Sequence, residues 1–120
     1  MTTLQQKNIE ELIILDNKNG KKDKKRLIAF FKMKNGKTYK KKFGFYNSAG
    51  TYADGAEEEK RMNYNKRHKK NENWNDVFSA GSLSRYALWE FRSNNEIEKF
   101  YNREFKIPKV KVNFKRYKIT

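Results

Sequence analysis

Asn35-Gly36 stands between two segments, RLIAFFKMK before it and KTYKKKFGFY after it, and this pairing constrains the fold more than any other feature. Asn-Gly is the strongest short hairpin signal, because both central residues of a type I′ turn need positive φ. The first segment is an apolar run too short for a typical helix. In the second, Tyr39, Phe43 and Phe45 fall on one face and Thr38, Lys40 and Lys42 on the other, which is the period of a strand. Upstream, IEELIILD is apolar and leads into NKNGKKDKK, a charged loop of turn-forming residues. These segments predict a three-stranded antiparallel meander.

Beyond the Gly-containing loop NSAGTYADG the pattern becomes helical. Asp54 followed by Glu57 resembles a capping arrangement. Glu57, Glu58 and Glu59 then fill a first turn, and Lys66, Arg67, Lys69 and Lys70 fall near the end, the order the helix dipole favours. Glu57–Arg61 is a favourable i,i+4 pair, and Tyr64 and His68 share the face that leans on the core. A second helix is expected over SLSRYALWEF, where Leu83, Ala87 and Phe91 align while Tyr86, Leu88 and Trp89 widen the apolar surface. A third opens at Ser93 with Glu96 three residues later, a capping box. Ile97, Phe100, Tyr101 and Phe105 form its apolar stripe, and Pro108 ends it.

In the closing KVKVNFKRYKIT, Val110, Val112 and Phe114 alternate with Lys109, Lys111 and Asn113, as in a half-buried or edge strand with protective lysines. The phase slips between Phe114 and Tyr117. No repeat or linker divides the chain. The expected fold is a single α+β domain over residues 1–120, a small antiparallel β-meander (N-terminal strands plus a C-terminal strand) with about three helices.

Charge bears on partners. The chain has 29 basic and 14 acidic residues, a net charge of +15. Such a surplus favours polyanions, nucleic acid first among them. However, 22 of the basic residues are lysine and Asn adds another 14 residues. Both have A/T-rich codons, so the same excess is what a coding bias would produce. The core is thin: Leu, Ile, Val and Phe total 25 of 120 residues, although 18 aromatics compensate by burying large areas. A small domain with a modest core is often completed by neighbours, which favours a subunit over a free-standing enzyme.

The absence of cysteine excludes disulfides and thiolate metal sites. No apolar run approaches the roughly 20 residues that span a bilayer, and MTTLQQKNIEEL lacks the basic start and apolar run of a signal peptide. The expectation is a protein made and used inside a cell.

Catalytic chemistry finds no footing in the sequence. Gly36-Lys37-Thr38 invites a phosphate-loop reading, but Phe31 stands where the motif needs glycine, and the tripeptide lies in a hairpin turn. His68 is the only histidine. Glu57, Glu58 and Glu59 fan out around a helix. Ser79, Ser82 and Ser84 do not form a hydrolase elbow. No catalytic, cofactor or metal site is predicted, no small-molecule substrate is implied, and the protein is not expected to be an enzyme.

Two binding readings remain. Trp74, Tyr86 and Trp89 are candidate protein-interface anchors, Trp89 being the more core-like of the two tryptophans. Alternatively, Lys40, Lys42, Lys66, Arg67, Lys69 and Lys70 contact phosphates while Tyr64 stacks on bases. The bland account of that cluster is a solvated helix end.

The block KKFGFYNSAGTY, then EEEKRMNYNKRHKKNENW, then SAGSLSRYALW resembles a family of small basic proteins from large nucleocytoplasmic DNA viruses. The shared positions are Phe43-Gly44, Tyr52, Arg67 to Trp74, Ala80-Gly81 and Ser84 to Trp89, so the likeness covers roughly residues 42 to 91. The chain departs from the family at Tyr52-Ala53-Asp54-Gly55, where a histidine is usual, and at Tyr86-Ala87, where Trp-Leu is. The resemblance implies a viral context: synthesis in the infected-cell cytoplasm and a structural role in the virion. It points to a minor capsid protein under the shell, with capsid or other minor capsid proteins as partners. Packaged nucleic acid or an anionic membrane surface are the other partners open to a basic, inward-facing protein.

Overall fold

The computed structural model describes residues 7–46, 50–69 and 73–116. The three predicted strands are present as β1 (Ile9–Asp16), β2 (Lys25–Met33) and β3 (Thr38–Phe45), paired antiparallel in sequence order. The C-terminal strand β4 (Lys109–Asn113) lies on the other side of β1, giving the order β3-β2-β1-β4. It runs parallel to β1, with Leu12 opposite Val110 and Ile14 opposite Val112. The sheet is therefore mixed, because the helical segment after β3 carries the chain back across one face before β4 enters. The class is α+β, as the sequence predicts.

The hairpin stands where Asn35-Gly36 put it, but its turn differs. Of the two residues only Gly36 has positive φ, at 89°. The Gly36 amide donates to Met33 O at 2.9 Å, the Met33 amide donates to Lys37 O at 2.8 Å, and Asn35 Oδ1 accepts from the Lys37 amide at 3.0 Å. That is a three-residue loop with glycine in the left-handed position, not a type I′ turn. The charged loop before β2 folds into one helical turn, α1 (Gly20–Asp23), ended by Lys24 at φ 64°. Glycine is required at position 20, since a Cβ there would lie 2.8 Å from both Lys25 O and the Tyr46 ring.

Asp54 does not cap the first long helix. It closes a short 3-10 turn, Tyr52–Asp54, in a capping box with Thr51. Helix α2 (Glu58–His68) follows with Glu57 at its N-cap and no side-chain cap bond. Its charge order is the predicted one, with Glu58 and Glu59 first and Lys66, Arg67 and His68 last. Arg61, however, pairs with Glu58 and Glu90 rather than Glu57.

Helix α3 (Ala80–Ser84) begins earlier than expected, because Ser79 Oγ caps it by accepting from the Ser82 amide at 3.1 Å. It passes into a π-helical turn, Arg85–Trp89. Helix α4 (Asn94–Glu104) has the predicted Ser93 cap, which accepts from the Glu96 amide at 3.2 Å. Its end lies before Pro108: Phe105 is the C-cap and Lys106, at φ 58°, reverses the chain. Pro108 leads into β4 instead.

Helices α3 and α4 pack on one face of the sheet. Leu12, Ile14, Leu27, Phe31 and Phe43 meet Leu83, Leu88, Ile97, Tyr101 and Ile107 in a dry core. Tyr101 is wholly enclosed, and burial pushes its phenol well above the usual tyrosine range. The predicted face of β3 is only partly realised. Phe43 is buried, but Tyr39 is exposed and Phe45 is 77% exposed. Gly44 twists the strand between them at φ 78°, where an added Cβ would lie 3.0 Å from Leu88 Cδ1. The phase slip expected at Tyr117, like the segment 1–6, lies outside the described residues.

One polar contact joins the parts. Arg26, at the start of β2, donates from Nη1 to Asp54 Oδ2 and from Nη2 to Asp54 Oδ1, each at 2.8 Å. The two side chains are 2% and 0% exposed. Thr51 Oγ1 donates to Asp54 Oδ2 at 2.7 Å, and Arg26 Nη2 also donates to Lys115 O at 3.0 Å. Removing one partner of such a buried pair leaves the other charge desolvated, at about 3–5 kcal/mol. Arg26→Ala and Asp54→Ala should each lower unfolding free energy by roughly that amount in urea titrations. The double replacement Arg26→Met/Asp54→Leu should be less destabilising than either. Single variants as stable as wild type would refute this account of the pair.

Candidate interaction surfaces

The first surface is a cleft at the Lys25–Phe45 end of the sheet. Its volume is about 390 Å³, within the range of ligand-sized sites. Gly44 and Leu88 lie at its base, Tyr64, His68 and Trp89 form an aromatic wall, and Lys25, Arg67 and Phe45 stand around it. The wall is a continuous stack: the Tyr64 ring lies 4.2 Å from His68 and 4.4 Å from Trp89, centroid to centroid. The i,i+4 spacing of Tyr64 and His68 on α2 makes half of this stack. Only the docking of α2 against the π-helical turn supplies Trp89.

This geometry corrects one expectation. Tyr64 is buried between two rings, so neither of its faces is free to stack on a base. The remaining basic candidates fall into separate groups. Lys66, Arg67 and Lys69 are exposed at the end of α2, and Arg67 has no ion-pair or ring partner among the described residues. Lys70 lies outside the described residues. Lys40 and Lys42 project from the sheet face opposite α3 and α4, and the sheet separates them from α2.

The proposed anchors are also engaged within the chain. Tyr86 stacks on Phe100 at 4.3 Å and meets Tyr101 and Phe105 edge-on. Trp74 lies beneath the Arg85 guanidinium at 3.9 Å, and its carbonyl accepts from Ser82 Oγ at 2.9 Å. Arg85 in turn pairs with Glu90, which also holds Arg61. Trp74, Tyr86 and Trp89 are all half-buried, and Tyr86 and Trp89 both pack against the core.

The second surface, which sequence reading did not single out, is the sheet face opposite α3 and α4, which α1 reaches at its Lys42 end. Alternation and register place Ile13 and Leu15 of β1 beside Phe30 and Ile28 of β2 on this face. Phe30 is 39% exposed and Ile13 and Leu15 are half-buried, whereas Ile28, beside Lys42, is buried. The outer strands add Lys40 opposite Phe30, Lys42 opposite Ile28 and Lys111 opposite Ile13. The two-strand apolar stripe thus has lysine on both sides. Lys42 is tied to Asp23 of α1, and the hydrogen bond it donates holds the Asp23 carboxyl below its ordinary value. The signal was present in IEELIILD, whose apolar residues occupy both strand faces. A strand apolar on both faces is covered on both, or waits for cover.

Among the described residues no group of three His, Asp or Glu side chains could hold a metal ion, and no helix is long and apolar enough to cross a membrane. Compared with known protein families, with curated proteins and with solved structures, the chain has no match in any of the three.

The environments of the two tryptophans yield a testable ranking. Trp89 carries the stack that joins α2 to the π-helical turn, so Trp89→Ala should cost about 2–3 kcal/mol, below the ~3–5 of a fully buried tryptophan. Trp74→Ala removes one cation–π contact and should cost about 1 kcal/mol. Thermal denaturation monitored by circular dichroism ranks the two, and a larger loss at Trp74 would reverse the assignment.

Proposed function

We propose that this chain is a structural protein of a virion, a minor capsid protein on the inner side of a large DNA virus shell, working through protein–protein contacts. The observation that supports it most is the sheet face opposite α3 and α4, where, among the described residues, Phe30 is exposed and Ile13 and Leu15 are half-buried. Apolar surface rimmed by polar residues is the pattern of protein-interaction sites. The viral setting rests on the resemblance, whose Gly44, Arg67, His68, Ala80, Gly81, Ser84 and Trp89 all line the one cleft. These segments are far apart in sequence and adjacent in the fold, which is how a shared local architecture is built. Catalysis contributes nothing to this reading.

The experiment is cross-linking mass spectrometry on purified, nuclease-treated particles washed in moderate salt. The chain should be retained and cross-linked to capsid or other minor capsid proteins, burying on the order of 1,200 Å² or more in total. Its presence in infected-cell extracts but not in particles would overturn the proposal.

A second reading has a specific observation in its favour: Lys66, Arg67 and Lys69 form an exposed basic end on α2. On that reading these residues grip phosphate backbones of nucleic acid by charge alone, with no base stacking from Tyr64. Binding to a duplex should then persist near physiological salt, and each cation replaced by Ala should flatten the log–log salt slope by about one. Binding confined to low salt, with a wild-type slope in the triple variant, would reduce the cluster to a solvated helix end.

A further inference from the structure

We infer that the open sheet face is the docking site for an amphipathic helix with acidic flanks, contributed by a different protein. The inference rests on the assembly reading above and names the chemistry of the partner. The two central strands lie about 4.8 Å apart, so the accessible part of the stripe, Phe30 with the half-buried Ile13 and Leu15, is about as wide as the apolar side of one helix. A helix laid on it reaches the outer strands with its flanks. Lys40 waits on the β3 side, and Lys109 and Lys111 wait on the β4 side. None of these three has an ion pair among the described residues, and all are exposed. Cations on both sides of an apolar track select a helix that carries Glu or Asp on both sides of its apolar stripe.

Charge argues against the alternatives within this chain. The residues outside the described ones, 1–6, 47–49, 70–72 and 117–120, carry a single acidic side chain, Glu72, too few for two acidic flanks. A second copy brings another net charge of +15 to a lysine-rimmed face. Nucleic acid would satisfy the lysines but not the stripe. Single-stranded binding uses aromatic platforms, and this face offers one phenylalanine among three aliphatic residues.

The test uses the full chain and a synthetic helical peptide of about four turns, with Leu at i, i+3, i+4 spacing and Glu on both flanks. Its binding is measured by fluorescence anisotropy and mapped by amide chemical-shift changes. The acidic peptide should bind, with shifts centred on β1 and β2. A peptide with Lys in place of Glu should bind at least tenfold more weakly. Phe30→Ser should weaken binding about tenfold. The surface variant Lys109→Glu/Lys111→Glu, which leaves the stripe intact, should do the same and so guards against a folding defect in the first. Equal affinity for both peptides, shifts confined to the α2 cleft, or tighter binding of a single-stranded oligonucleotide to this face would each overturn the inference. Cross-linking separates it from the assembly reading. A chain found in particles but joined to its partner through α2 refutes the docking face alone. A chain absent from particles that still binds the acidic peptide refutes the virion role alone.

Discussion

Arg26 and Asp54 are held by two parallel hydrogen bonds in a place water does not reach, and the rest of the fold is arranged around that pair. Arg26 belongs to the sheet, Asp54 to the turn that leads into the helices, and the Lys115 carbonyl to the segment after the last strand. Lys115 also donates its amide to Asp16 at the end of β1. One guanidinium therefore fixes three segments distant in sequence. A planar, permanently charged fork suits this task and an ammonium does not. Such a pair is weak as a source of net stability, since desolvation offsets much of its attraction. Its consequence is geometric: the 3-10 turn docks in one position, and that position sets where α2 begins.

The same distinction between the two cations runs through the molecule. Arginines are drawn inward or across aromatic rings: Arg61 and Arg85 converge on Glu90, Arg85 covers Trp74, and Arg92 lies 4.0 Å over Tyr52 while donating to the Ala56 carbonyl. The described lysines are exposed, apart from Lys42 beside Asp23. Arg67, exposed beside the cleft, and Arg103, paired at the surface with Glu104, depart from this pattern. The large positive charge thus divides into a structural part and a surface part. The surface part alone bears on partners, and the sheet divides it into the end of α2 on one side and the lysines of the open face on the other.

Much of this architecture could be read from local pattern. The hairpin at Asn35-Gly36, the Ser93–Glu96 cap, the stripe of Ile97, Phe100, Tyr101 and Phe105, and the Val110–Val112 alternation all depend on neighbours within a few residues, where backbone geometry decides. The failures share the opposite property. Asp54 looked like a helix cap because Glu57 follows it, but its partner is Arg26, 28 residues away. Glu57 looked like the partner of Arg61, but docking α2 brought Glu90 into reach. Phe45 continued the alternation of β3 on paper, but Gly44 turns the chain at the point where Leu88 presses against it.

The candidate surfaces divide in the same way. Sequence by itself determined that the chain is α+β, that its basic residues outnumber its acidic ones, and that Tyr64 and His68 share a helix face. Those facts follow from periodicity and composition, which are properties of short windows. Tertiary structure alone decided that Tyr64 is enclosed by Trp89, that Lys40 and Lys66 belong to different surfaces, and that Phe30 lies exposed on the sheet face opposite α3 and α4. Each depends on which element packs on which, and packing is set by the fit of side chains that are distant along the chain.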